Sequence, residues 1–135
     1  MTIDYAGRAR ALVGTRFRAQ GRTPSLGLDC VGLVICAFGL PERTVRRDYR
    51  LRGDHLRELL DGLAGPFRRV PPSRRRPGDV VVLQVGRDQL HLGILTDTGF
   101  VHADARLGKV VETGGVPQWP ILAHFRRRRR NRRGR

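Results

Sequence analysis

Residues 29–41 read Asp29-Cys30-Val31-Gly32-Leu33-Val34-Ile35-Cys36-Ala37-Phe38-Gly39-Leu40-Pro41. An Asp that can accept from free N–H groups opens a nearly unbroken apolar run, and Gly39 and Pro41 close it. That punctuation predicts a helix over 30–38 with Asp29 as its N-cap. Because the run has no polar stripe, the helix must be buried on most sides. Before it, Ile3, Ala6, Ala9, Leu12 and Val13 recur at helical spacing, so 3–13 reads as an amphipathic helix stopped by Gly14. Residues 14–28, rich in Gly, Thr, Pro and Ser, read as a loop. After it, Leu56, Leu59, Leu60 and Leu63 share one face of a helix over 51–63, ended by Gly65-Pro66. Residues 71–79 form another loop. The period then shifts toward two: 79–85, 90–96, 100–103, 109–112 and 121–126 read as strands, with a turn at Asp97-Thr98-Gly99. Helices first and strands afterwards predict an α+β fold, helices packed on an antiparallel sheet.

The chain has 135 residues, enough for one domain with its own core. Its formal net charge of +15 is unusual, and eight of its arginines fall in the last ten residues, 126–135, which contain no acid. The expected organisation is a domain over 1–125 and a disordered arginine-rich tail over 126–135. Further basic clusters stand at Arg46-Arg47, Arg68-Arg69 and Arg74-Arg75-Arg76. Such charge implies anionic partners. The tail has no interleaved aromatic residues for base stacking, so it reads as a nonspecific polycation for anionic polymers, envelope or DNA. Arg8 and Arg10 interrupt the N-terminus, so no signal peptide is expected and synthesis is expected in the cytoplasm. No stretch reaches the ~18 apolar residues of a transmembrane segment.

Two cysteines six residues apart on one helix are separated by ~9 Å along its axis and point to different faces, so they do not pair. Cys36 reads as a small buried residue. Cys30 differs because it stands at the helix start, where free N–H groups and the helix dipole favour a thiolate and can hold an oxyanion. His91 lies in the second strand and His102 in the next. A short turn between them makes the two close neighbours, offset by a residue or two in a register the sequence leaves open. If they share a face, His102 can orient His91 while His91 serves the thiol. His55 and His124 read as structural. No His/Cys cluster has zinc spacing, so neither metal nor cofactor is expected.

Gly14-Thr15-Arg16-Phe17-Arg18-Ala19-Gln20-Gly21, Gly27-Leu28-Asp29-Cys30-Val31-Gly32-Leu33-Val34, Gly78-Asp79-Val80-Val81, His91-Leu92-Gly93-Ile94 and Phe100-Val101-His102-Ala103 follow one another in the chain. In order, spacing and identity they resemble the NlpC/P60 cell-wall peptidases, in particular the short forms of phage tail operons and gene transfer agents. The resemblance implies a papain-like α+β fold, Cys30 as nucleophile, His91 as base and then acid, and His102 as the orienting residue. It implies hydrolysis of amide bonds in peptidoglycan stem peptides, and a virion- or tail-associated protein that acts in the cell envelope with phage-like tail proteins as partners. It places Asp29, Phe17 and Val31 at the substrate. Asp29 caps the helix, contacts substrate amines, or both. Phe17 stands where the family usually has Tyr and Val31 where it usually has Ser, which leaves oxyanion stabilisation resting more on the Cys30 backbone N–H. Two other readings use the same residues: a tail-assembly or polymer-binding protein that keeps the fold, and an acyltransferase built on the Cys/His pair.

Overall fold

The computed structural model describes residues 2–44, 56–87 and 89–129. The apolar run at its centre is helix α2, Cys30–Phe38, with the bounds its flanking residues dictate. Asp29 Oδ1 accepts from Gly32 N at 2.8 Å. Gly39 adopts the left-handed conformation, φ 63°, and the Leu40 N–H returns to the Ile35 carbonyl at 3.0 Å, satisfying carbonyls the helix end leaves open.

Helix α1, Tyr5–Arg10, is shorter than its apolar spacing predicts. The cause is a distant partner. Gly14 N donates to the Val110 carbonyl and Val110 N donates to the Thr15 carbonyl, both at 2.8 Å, so residues 14–17 leave the helix to run beside a late strand. The following loop contains a small hairpin, β1 Arg22–Thr23 with β2 Gly27–Leu28. Helix α3, Leu56–Ala64, buries Leu59 and Leu63. The part of that helix expected over 51–55, with His55, and the Arg46-Arg47 cluster lie outside the described residues.

Six antiparallel strands form the sheet: β3 Phe67–Arg69, β4 Val80–Gln84, β5 Leu90–Leu95, β6 Gly99–Asp104, β7 Lys109–Gly114 and β8 Ile121–Arg127, in the order β3-β8-β4-β5-β6-β7. The α+β architecture with helices on an antiparallel sheet is therefore the one the sequence predicts. Alternation along the strands splits their side chains between two faces. Val80, Val82, Leu92, Ile94, Val101 and Ala103 pack with α2 in the main core. Val81, Leu83, Leu95 and Phe100 form a smaller cluster on the other face. β3 was not expected. Its one apolar residue, Phe67, is fully buried while Arg68 and Arg69 are exposed, so three residues carry no alternation.

The tail needs a correction at its near end. β8 continues through Arg127, two residues into the stretch expected to be disordered, because Phe67 and Arg68 of β3 pair with Arg127 and Arg126. Arg126 grips Asp79, which is buried, through Nε–Oδ1 at 2.7 Å and Nη2–Oδ2 at 2.9 Å. Arg127 and Arg128 donate to the carbonyls of Pro66, Ala64 and Gly65 at and beyond the end of α3. Residues 130–135 lie outside the described residues. Among the described residues no helix is long and apolar enough to cross a membrane.

Candidate active site

The first turn of α2 is set by close backbone approach. A methyl group at Gly32 would collide with the Gly21 carbonyl, so only glycine lets the helix sit this tightly against the preceding loop. Asp29 ties the two together. Its Oδ1 holds Gly32 N, and its Oδ2 accepts from Gln20 N at 2.9 Å, where Gln20 has a φ of 58°. Asp29 is buried, and both oxygens bond to backbone, which is the capping alternative of the sequence reading. With Gly32 N taken by the cap, the first-turn N–H groups of Cys30 and Val31 remain for the site. Val31 itself is 1% exposed and packs in the main core, so its side chain offers no surface to a substrate; its contribution to the site is its amide. Phe17 is half-buried against the same core, its N–H bonded to the Gly108 carbonyl at 2.8 Å.

Cys30 is 3% exposed. Burial, with a smaller contribution from the Asp29 charge, pushes its thiol up to about 12, while the amides of Leu92, Val31 and Cys30 itself act in the opposite direction. The sequence predicts a thiolate favoured by the helix start. Desolvation outweighs that effect here, so the resting group is a thiol. Leu92 follows His91 directly in β5, which brings the sulfur's surroundings to the histidine strand.

The ladder between β5 and β6 consists of Ile94↔Val101 and Leu95↔Phe100, and the strands part beyond it. Leu95 N–H bonds toward β4, to the Asp79 carbonyl, so by alternation the Leu92 N–H points toward β6, past the end of that ladder. The same register puts His102 opposite Gly93, two residues from His91 and on the same face. The offset falls within the range the sequence left open. His91 Nε2 lies 3.0 Å from His102 Nδ1 with the rings edge to face, and His102 Nε2 lies 2.9 Å from Thr113 Oγ1 of β7. His91 Nδ1 is the ring nitrogen this chain of contacts leaves over. Burial lowers His91 to about 4, helped by the neighbouring His102 and opposed by Asp104, and burial also lowers His102. Both imidazoles are therefore neutral at pH 7.

Trp119 stands edge-on to this group, its ring centre 6.2 Å from that of His91, 5.9 Å from His102 and 6.3 Å from Phe100, and Phe100 stacks on His102 at 4.7 Å. Sequence reasoning missed Thr113 and Trp119, because each joins the site through strand register or loop path rather than through a motif. Cys36, expected to be buried, is half-buried and donates to the Arg22 carbonyl at 3.3 Å; both cysteines are free. His124 is buried. Among the described residues no group of three or more His, Cys, Asp or Glu side chains is placed to hold a metal ion.

The fold has close counterparts among solved structures. It is similar to the NlpC/P60 domain of the peptidoglycan hydrolase SagA, with a TM-score of 0.57 and 19% identity over 82% of this chain and 86% of that one. It is also similar to the peptidoglycan hydrolase RipB of Mycobacterium tuberculosis, with a TM-score of 0.58 and 22% identity over 92% of this chain and 62% of that one. A third is an NLP/P60-family protein similar to lipoprotein from Staphylococcus aureus, with a TM-score of 0.59 and 15% identity over 94% of this chain and 41% of that one. None of the curated proteins compared with the chain matches it. The profile of the NlpC/P60 family matches residues 14–118, a span that runs from the loop before α2 through the histidine strands to the residue before Trp119. The chain belongs to the NlpC/P60 family.

Proposed function

We propose that the protein is a cysteine peptidase that hydrolyses amide bonds in peptidoglycan stem peptides, with Cys30 as nucleophile, His91 as general base and then acid, and His102 as the residue that orients His91. What supports the reading is the 3.0 Å contact between His91 Nε2 and His102 Nδ1, which leaves His91 Nδ1 unused by that pair, together with the Leu92 amide, next in the chain to His91, acting on the Cys30 thiol at the start of α2. Since the resting pair is a neutral thiol and a neutral imidazole, proton transfer to His91 accompanies attack on the carbonyl rather than preceding it. The sulfur–carbon bond forms as the S–H proton moves to His91. The tetrahedral oxyanion falls to the Cys30 and Val31 N–H groups at the helix start. His91 then gives its proton to the leaving amine, and the thioester is released by water that His91 activates.

Cys30→Ala is expected to abolish turnover of purified peptidoglycan while the circular dichroism spectrum stays that of the wild type. Mass analysis of the released muropeptides identifies the bond cut. Intact wall after prolonged incubation with folded wild type would overturn the proposal. One specific observation favours a catalytically weak protein that keeps the fold for binding, namely the burial of Cys30 and its raised pKa. That reading requires Cys30 to react with iodoacetamide no faster than Cys36.

For partners, arginines from three parts of the chain collect at the β3–β8 edge. Arg68 pairs with Arg126, Arg126 Nη2 donates to the Arg74 carbonyl, and Arg68, Arg69, Arg74–Arg76, Arg128 and Arg129 are exposed. This edge supports nonspecific docking of an anionic polymer by counterion release. The resemblance to short tail-encoded peptidases supports a place in a phage-like tail or gene transfer agent that meets the cell envelope.

A further inference from the structure

We infer that Thr113 is a positioning residue of the site, fixing the proton on His102 Nε2 so that the relay through both histidines runs in the direction a thiol base requires. The inference rests on the Cys30–His91 reading above. Each neutral imidazole carries one N–H and one lone pair, so two imidazoles in contact allow two arrangements. In the first, His91 Nε2–H donates to His102 Nδ1, and the lone pair of His91 falls on Nδ1, where a base needs it. In the second, His102 Nδ1–H donates to His91 Nε2. The His91 proton then sits on Nδ1, facing away from His102, and His91 has no lone pair left for the thiol.

What selects between them is the partner of His102 Nε2, because His102 has only one proton to place. That partner is Thr113 Oγ1, at 2.9 Å. A hydroxyl can accept or donate, but Thr113 is exposed, so its own proton has water to go to and its oxygen is left to accept from His102 Nε2–H. That leaves His102 Nδ1 as a lone pair and turns His91 Nε2 into the donor across the 3.0 Å contact. The surroundings keep the choice sharp. His102 is buried and neutral, flanked by the Phe100 ring and by Trp119, so its ring nitrogens meet protein groups rather than open solvent. Backbone register fixes the threonine as well. Phe100↔Thr113 and His102↔Val111 are paired in the β6–β7 ladder, so Thr113 lies diagonally across from His102 on the same face. A hydroxyl two residues from the direct partner is the group that can reach the far ring nitrogen.

The test uses the full chain and two readouts. Long-range nitrogen–proton NMR at pH 7 reports which nitrogen of each histidine is protonated, whether or not any substrate is turned over. The wild type should show His102 protonated on Nε2 and His91 on Nε2. Thr113→Val should lose the Nε2 preference of His102, and kcat on peptidoglycan should fall about 5- to 10-fold with KM unchanged, the size of one lost hydrogen bond. Thr113→Ser, which keeps the hydroxyl, should restore both to within about twofold of wild type. A wild-type His102 protonated on Nδ1 would overturn the inference. So would a Thr113→Val protein whose tautomers match the wild type, even with reduced activity, since the threonine would then be only structural. If the tautomers respond as expected while wild type leaves peptidoglycan intact, the inference about Thr113 stands and the peptidase proposal fails.

Discussion

At the scale of single residues, Cys30 and His91 carry pKa shifts of opposite sign from one cause, loss of solvent. Burial raises the acid to about 12 and lowers the base to about 4. The consequence for activity has a definite sign. In the proposed mechanism His91 acts as base only when neutral, and its protonation is displaced downward from 6.5. The acid limb of kcat/KM should therefore have its midpoint near pH 4, with activity retained at pH 5.5, where an exposed imidazole would already be mostly cationic. A pH profile on solubilised muropeptides checks this, and a midpoint at 6.5 would show that the histidine is open to solvent in the working protein. Cys30, His91 and His102 were legible in the sequence because each stands inside a short motif with local punctuation. Thr113 and Trp119 were not, since a lone hydroxyl on a late strand and a lone indole in a loop acquire meaning only through strand register and loop path. Val31 shows the opposite error. The motif position adjacent to Cys30 predicts a substrate contact, but helical geometry turns that side chain into the core.

Among the elements, α2 has the bounds its sequence predicts because both of its stop signals, Asp29 and Gly39, act within one turn. The limits of α1 and β3 are not legible locally because they depend on distant partners: Val110, about a hundred residues from the end of α1, and the end of β8, about sixty residues from β3. The same long-range logic explains Asp79. Its motif position suggests a strand start, whereas its carboxylate also fastens β8 to the loop before β4. It accepts from Arg76 N at 2.9 Å and from Nε and Nη2 of Arg126. With Asp79 at 1% and Arg126 at 16% side-chain exposure, removing the carboxylate strands a largely desolvated cation. Asp79→Ala should cost about 3–5 kcal/mol, read as a lower urea midpoint with an unchanged m-value. An effect under about 1 kcal/mol, the range of surface pairs, would show the pair to be ornamental.

For the molecule as a whole, three histidines, the half-buried His91 and the buried His102 and His124, have lowered pKa values, chiefly through desolvation. The unfolded chain binds protons at these imidazoles from about pH 6.5 downward while the folded chain resists them, so stability falls as pH drops below that point. Thermal midpoints should be level between pH 7 and 8 and decline steadily from 6.5 toward 4. A midpoint that holds to pH 5 would mean the histidines are hydrated in the native state. The order of the sheet carries one more consequence. β3 and β4 are near neighbours in sequence, yet they do not pair; β8 fills the space between them, joining residues some sixty and forty-five positions away. Pairing over such separations is intrinsically slow to form, because the loop-closure entropy precedes the contacts that repay it. Until it happens, β3 and β4 both present open hydrogen-bonding edges, the condition under which nascent chains stick to one another. Arg68 and Arg69 on one side of the vacancy, and Arg126 and Arg127 on the strand that will occupy it, make two immature copies repel at the places where they would otherwise zip together. The surplus of positive charge thus acts as a safeguard during assembly of the chain as well as a surface of the finished protein.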